Sequence, residues 1–195
     1  MKLVTDFTDY YDEAFKEVEK DITFNRMLSS NMSRYECLQS LKALGYETIR
    51  LMAVGSVLTE RDIVVYTNTK AHNGEGKQIL SLDSAKMMYI NRQCSICYKH
   101  EKTLKLIQIG NKSFKMIIKN NGLVEDTIEI CEEIPFFNKI LAGRFPMFSM
   151  DFVVDDNNRL LACDFDNTVK LGHIKGIEKF LPAEKIANLL AERLV

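Results

Sequence analysis

Between Met147 and Asp166 the chain alternates polar and apolar residues in a way that few structures accommodate. Side chains on a strand change faces at every residue, so the pattern reads as a hairpin of two strands, Met147–Val154 and Arg159–Asp166. Asp155-Asp156-Asn157-Asn158 supplies the turn. With the turn centred on Asp156 and Asn157, Ser149 faces Asp164 and Asp151 faces Ala162. One face then carries Ser149, Asp151, Ala162, Asp164 and Asp166, and the other Met150, Phe152, Val154, Leu161, Cys163 and Phe165. The second face needs a core to pack on. The first gathers like charges on neighbouring strands, which is destabilising unless something compensates. A divalent cation is one compensator, and hard Mg²⁺ prefers carboxylate and amide oxygens. Asp151, Asp164, Asp166 and Asn167 are therefore candidate metal ligands. The other reading is a solvated sheet face whose acids keep the protein soluble, and the pattern alone leaves both open.

The rest of the chain permits a core of the required size. At 195 residues it suffices for one well-buried domain or one domain of two lobes. Hydrophobic residues make up 46% and charged residues 27%, an ordinary globular balance that argues against wholesale disorder. The net charge of −1, with Lys and Arg scattered, lacks the basic footprint of a nucleic-acid binder. No window is apolar enough to span a membrane, and the start, MKLVTDFTDYYDEAF, has no signal-peptide core. The five cysteines form no disulfide-dense framework, so the expected setting is a reducing cytoplasm.

Strand pairs mixed with helices, without a βαβ rhythm, define an α+β chain. Residues 1–32 read as an N-terminal leader, with Thr8 capping a helix that aligns Tyr11, Phe15 and Val18. Ser33-Arg34-Tyr35-Glu36 is a capping box; Leu38, Leu41 and Leu44 form the stripe of the helix that follows, and Gly45 stops it. Strands are expected at Thr48–Val54 and Asp62–Thr67, then a glycine-containing loop, then a helix capped by Ser81 or Asp83 and running to about Arg92. Thr103–Ile109 and Lys112–Lys119 form a hairpin on Gly110-Asn111, followed by a strand at Asp126–Cys131. A closing helix has Pro182 in its first turn and Ile186, Leu189, Leu190 and Leu194 on one face.

Three further motifs carry possible chemistry. In the loop Asn68–Lys77, Gly74 and Gly76 let backbone N–H groups approach a phosphate, while Lys70, His72 and Lys77 offer cationic or hydrogen-bonding contacts. A mobile polar β-loop is the plain alternative. Cys94-x-x-Cys97-x-x-His100 has some zinc ligands but no second Cys pair to close a four-ligand site. Asp164-Phe165-Asp166-Asn167-Thr168 resembles the nucleophile motif of haloacid-dehalogenase phosphatases, which would make Asp164 the nucleophile and Asp166 the general acid. That motif opens its domain, however, and the family's later motifs do not fit in the 29 residues that remain here.

A second resemblance covers more of the chain. Phe148–Val154, then Ala162-Cys163-Asp164-Phe165-Asp166-Asn167, then Gly176-Ile177-Glu178 and the helix from Pro182 resemble the end of the ATP-grasp superfamily. The ribosomal-protein glutamate ligases and D-alanine ligases belong to it. The capped helix Ser33–Gly45, the strand Ile63–Tyr66 with Gly74-x-Gly76-Lys77, and the central hairpin at Gly110-Asn111 follow in the family's order. Phe7-Thr8-Asp9-Tyr10-Tyr11-Asp12 and the Val64–Lys77 element are similar to a partly phage-encoded ATP-grasp-like group, whose setting would be the host cytoplasm.

The resemblance implies a two-lobed α+β fold with antiparallel sheets flanked by helices. It divides residues 33–195 into a glycine-loop lobe at about 33–100 and a metal-site lobe at about 101–195. It further implies ATP and Mg²⁺ as cofactors, with a carboxylate joined to an amine through an acyl phosphate. The partner would be a small carboxylate, protein or peptide. Two departures favour the alternative of a non-catalytic binding protein, for example a phage protein acting on a host component. Tyr66 or Thr67 stands where the family has a strand lysine, and the adenine hinge reads Arg92–Cys97.

Overall fold

Helix α1, Arg34–Ala43, begins on the capping box read from the sequence: Ser33 N–H donates to the Glu36 carboxylate at 2.7 Å, and Glu36 N–H donates back to Ser33 Oγ. Gly45 ends the turn that follows, at φ +92°, a backbone conformation glycine adopts without strain. A computed structural model describes residues 33–68, 76–98, 101–122, 124–135, 138–166, 169, 171–172 and 174–192. The leader 1–32, with its expected helix, and Leu194 lie outside the described residues.

Two antiparallel sheets organise these residues. The smaller contains β1 (Met52–Ala53), β2 (Ile63–Tyr66), β3 (Lys77–Leu80) and β4 (Gln93–Ile96), in the order β1-β4-β2-β3. β2 is an unbroken buried run because both of its faces are covered. Ile63 and Val65 pack with Val54, Val57, Ala85 and Cys94, beneath α2 (Leu82–Tyr89), which Ser81 caps. Val64 and Tyr66 point the other way.

The strand expected at Thr48–Val54 is shorter in the structure, and the reason lies in its hydrogen bonds. Residues 47–49 run beside the larger sheet, with Ala162 N–H donating to Glu47 and Ile49 N–H donating to Ala162, so only Met52–Ala53 joins the smaller one.

The larger sheet has the order β7-β6-β5-β8-β9, built from β5 (Lys102–Ile109), β6 (Lys112–Asn121), β7 (Val124–Ile134), β8 (Met147–Val154) and β9 (Leu160–Asp166). The hairpin at Gly110-Asn111 forms in the expected register, Ile109 opposite Lys112. One face packs on the C-terminal segment, where Ile107, Ile109, Phe114, Met116 and Ile118 meet Leu171, Ile174, Ile177 and helix α4 (Ala183–Glu192). The other face covers Phe148, Met150 and Phe152 with Leu38 and Leu41 of α1 and Leu141 of α3 (Lys139–Arg144). Helix α1 thus precedes the small sheet in sequence yet packs on the large one.

The β8–β9 register corrects the sequence reading. Asp151 pairs with Asp164 and Ser149 with Asp166, not Asp151 with Ala162 and Ser149 with Asp164. Two local features move it. The Asp155 carboxylate accepts from the N–H groups of Asn157 and Arg159, each at 2.9 Å, so the loop closes between Asp155 and Arg159 with Asn158 at φ 59°. A bulge beyond Asp151 then shifts the ladder by one more residue. Ala162, placed opposite Phe152, joins the apolar side, and the two acids stand side by side.

Candidate functional site

Register puts Asp151 between two neighbours on one face: Lys105 on β5 and Asp164 on β9. Lys105 reaches Asp151 Oδ1 at 2.6 Å and Glu125 Oε1, from the start of β7, at 3.2 Å. Its side chain is only 7% exposed, so the ammonium depends on those two carboxylates in place of water. Burial alone would lower the Lys105 pKa, but Asp151 and Glu125 more than offset it and hold the amine charged.

Asp164 has different counter-ions. Arg34, in the first turn of α1, donates from Nη2 to Asp164 Oδ2 at 3.1 Å and from Nη1 to the Cys163 carbonyl at 2.8 Å. The same guanidinium lies over the ring of Tyr66, 4.9 Å from its centroid, and Tyr66 shares a 3.0 Å hydrogen bond with Ser95. Lys77, cross-strand neighbour of Tyr66, brings Nζ to 3.7 Å from Asp164 Oδ2. Helix α1, the small sheet and the large sheet therefore meet at one carboxylate.

These surroundings push adjacent acids in opposite directions. Burial drives the Asp151 carboxyl up to about 7, with Lys105 opposing and Glu125 and Asp164 reinforcing the rise. Burial also acts to raise Asp164, but Arg34 and Lys77 outweigh it and hold the group below the usual carboxylate range. The two adjacent acids thus differ: Arg34 and Lys77 favour the ionised form of Asp164, while burial makes Asp151 the harder of the two to ionise.

The compensation that the sequence assigned to a metal is supplied in large part by Lys105, Arg34 and Lys77. Among the described residues no group of three or more His, Cys, Asp or Glu side chains is placed to hold a metal ion. Asp166, opposite Ser149, lies on the same face as Asp151 and Asp164. Gly76, with φ +65°, ends the glycine loop, and an added Cβ there would sit 2.7 Å from Asn68 Cβ. Lys70, His72, Gly74, Asn167 and His100 lie outside the described residues. Cys94 is fully buried in the small-sheet core, and burial pushes both its thiol and that of Cys97 upward.

Sequence reasoning passed over Lys105, Glu125 and Arg34. Lys105 had a readable trace, since it alternates with Ile107 and Ile109 and must share their buried face. Arg34 had none: its partners are Tyr66, Cys163 and Asp164, all distant in sequence.

With this geometry in place, comparison with solved structures finds the same architecture in several ligases. The ATP-grasp ligase PsnB, in a complex with a precursor variant, Mg and ADP, superposes with a TM-score of 0.61 over 93% of this chain and 64% of its own, at 12% identity. The macrocyclase MdnC from Microcystis aeruginosa MRC, bound to precursor peptide MdnA, gives 0.52 over 98% of this chain and 74% of its own, also at 12% identity. A D-alanine–D-alanine ligase from Coxiella burnetii gives 0.50 over 83% of this chain and 56% of its own, again at 12% identity. No family model matches the sequence, and no curated protein does. The chain has the ATP-grasp fold, spanning about two thirds of PsnB. In this fold Asp164-Phe165-Asp166 ends the last strand of an antiparallel sheet, unlike the domain-opening position of the phosphatase motif it resembles.

Proposed function

We propose that this protein binds ATP where the small sheet meets β5, β8 and β9, and uses it to activate a carboxylate for attack by an amine. The observation that carries the reading is that Lys77, Arg34 and Lys105, from three separate elements, converge on the paired acids Asp151 and Asp164. An acid pair beside several fixed cations suits a polyphosphate accompanied by a divalent ion. Lys77 follows the glycine loop directly, so its amine can leave Asp164 for a phosphate oxygen, with Lys70, His72, Gly74 and Gly76 as further phosphate contacts.

The acids fit a magnesium ion that arrives with the nucleotide, not a free-standing cation site. Mg²⁺ commonly takes one or two carboxylates, with phosphates and waters completing its shell. Asp164 and Asp166, with Asp151 beside them, would supply that number once Lys77 has moved, and Asn167, next in sequence, is a further candidate ligand. The ion would supply positive charge to offset that of the phosphates. The protein's own groups do the rest: Lys105 keeps Asp151 in place and cationic charge near the phosphates, and Arg34 fixes Asp164. In the reaction a substrate carboxylate oxygen bonds the γ-phosphorus as ADP leaves. The amine then displaces phosphate from the acyl carbon. The carboxylate belongs to a small acid or a peptide; a precursor peptide is bound in the MdnC structure and a precursor variant in that of PsnB.

Tyr66 favours a second reading. It fills, beneath Arg34, the strand region where the superfamily carries a lysine, as a protein that binds nucleotide or a partner without catalysis would tolerate. The two readings separate on incubation with ATP, Mg²⁺, hydroxylamine and a panel of amino acids, other small carboxylic acids and peptides. Hydroxamate together with stoichiometric ADP supports the ligase. ADP at the blank rate, with ATP still bound, supports the non-catalytic protein.

A further inference from the structure

Arg34 is placed in a way that folding stability alone does not explain. Its side chain is 6% exposed, and its Nε is buried without a hydrogen-bond partner among the described residues. A buried ion pair is often no better for stability than a packed apolar group, and an orphaned donor makes it worse. What the guanidinium does accomplish is geometric. One Nη holds the backbone at Cys163, the other holds the Asp164 carboxylate, and the guanidinium carbon lies over the Tyr66 ring of the small sheet, 4.9 Å from its centroid. Asp164 is also met by Lys77, but more loosely, at 3.7 Å against 3.1 Å, from a residue that follows the glycine loop.

We propose that Arg34 is the positioning residue of the site: it fixes the Asp164 carboxylate and, through Tyr66, ties that carboxylate to the small sheet. Asp164 thus has a permanent counter-ion and an exchangeable one. When Lys77 turns to a phosphate, Arg34 keeps the carboxylate oriented toward the incoming ion and holds the small sheet against it through Tyr66. A lysine can replace it only in part, since it keeps the charge but lacks the planar fork that reaches two acceptors at once. This inference rests on the ATP-binding reading for its metal arm and on the Tyr66 stack for its structural arm.

Two measurements on the full chain test it. Calorimetry compares ATP binding in excess Mg²⁺ and in EDTA for wild type, Arg34→Lys and Arg34→Gln. The expected result is that Arg34→Gln loses roughly tenfold or more of the Mg²⁺-dependent gain while affinity in EDTA changes less than about threefold, a charge-assisted bond being worth about that much. Arg34→Lys recovers part of the loss. Equal losses with and without Mg²⁺, in step with reduced stability, mean a merely structural role and overturn the proposal. The second measurement is a urea-unfolding cycle of Arg34→Gln, Tyr66→Leu and the pair, without nucleotide. Coupling of about fivefold in the unfolding constant supports the tie between the sheets, and additivity overturns it. If wild type binds no ATP, the ATP-binding reading fails, and the cycle still decides whether Arg34 ties the sheets.

Discussion

At the scale of single residues, the site is a set of charges whose neighbours decide their protonation. The Asp151 pKa, raised by burial to about 7, gives a definite pH signature. Between roughly 4 and 7 the folded state holds more protons than the unfolded chain, so stability falls as pH rises through that window and levels above it. Asp164, held low by Arg34 and Lys77, acts in the opposite sense: its stabilisation is present above the ordinary carboxylate range and is lost as pH falls through the depressed value. Urea unfolding from pH 3 to 8 should show both limbs, and Asp151→Asn should flatten the upper limb while leaving the acid limb. An upper limb unchanged in Asp151→Asn would assign it to another group. Lys105→Met should destabilise by about 1–3 kcal/mol by the same method, because it leaves the partly buried Asp151 and Glu125 without their cation. The acids were legible in the sequence because alternation alone places them on one face. Their true pairing was not, since it depends on a side-chain-closed turn at Asp155 and a bulge that no periodicity announces.

At the scale of elements, the helix α4 is seated directly on the β5–β6 turn. A Cβ added to Gly110 would lie 1.9 Å from the Leu189 carbonyl oxygen, and the residue's φ of +55° already disfavours side chains. Gly110→Ala should therefore destabilise by about 2 kcal/mol or more, with hydrogen exchange in α4 accelerating before that of β8. Equal protection throughout would mean that the helix shifts without cost. Leu190→Ala, at a position 1% exposed, should cost about 2–5 kcal/mol in urea unfolding. The long elements were readable: the capping box of α1, the two-residue turn of β5–β6 and the stripe of α4 are each local. Strands β1 and β4 were not. β1 is short because residues 47–49 hydrogen-bond to β9, and β4 has four residues whose strand character comes from pairing with β1 and β2.

At the scale of the whole molecule, cations from the small sheet, α1 and β5 are balanced against the acids of β8 and β9. Arg34 and Lys77 meet Asp164, and Arg61 pairs with Asp156 at the β8–β9 turn, so the small sheet rests on the hairpin that carries the acids. A ligand that inserts its own negative charge must rearrange these pairs, and the protein should respond as a unit. Thermal unfolding should shift upward with ATP and Mg²⁺ together, by about 2.7 kcal/mol of added stability at a hundredfold excess over Kd. Mg²⁺ alone should leave it unchanged, because Lys77 and Arg34 already occupy Asp164. The central claim is that this junction binds a magnesium-bearing nucleotide through Asp164. Titration calorimetry of ATP with Mg²⁺ into wild type and Asp164→Asn tests it most directly. Saturable one-to-one binding by wild type, weakened at least about tenfold in a folded Asp164→Asn, is the predicted result; no heat of binding in wild type, or equal affinity in the variant, would contradict it.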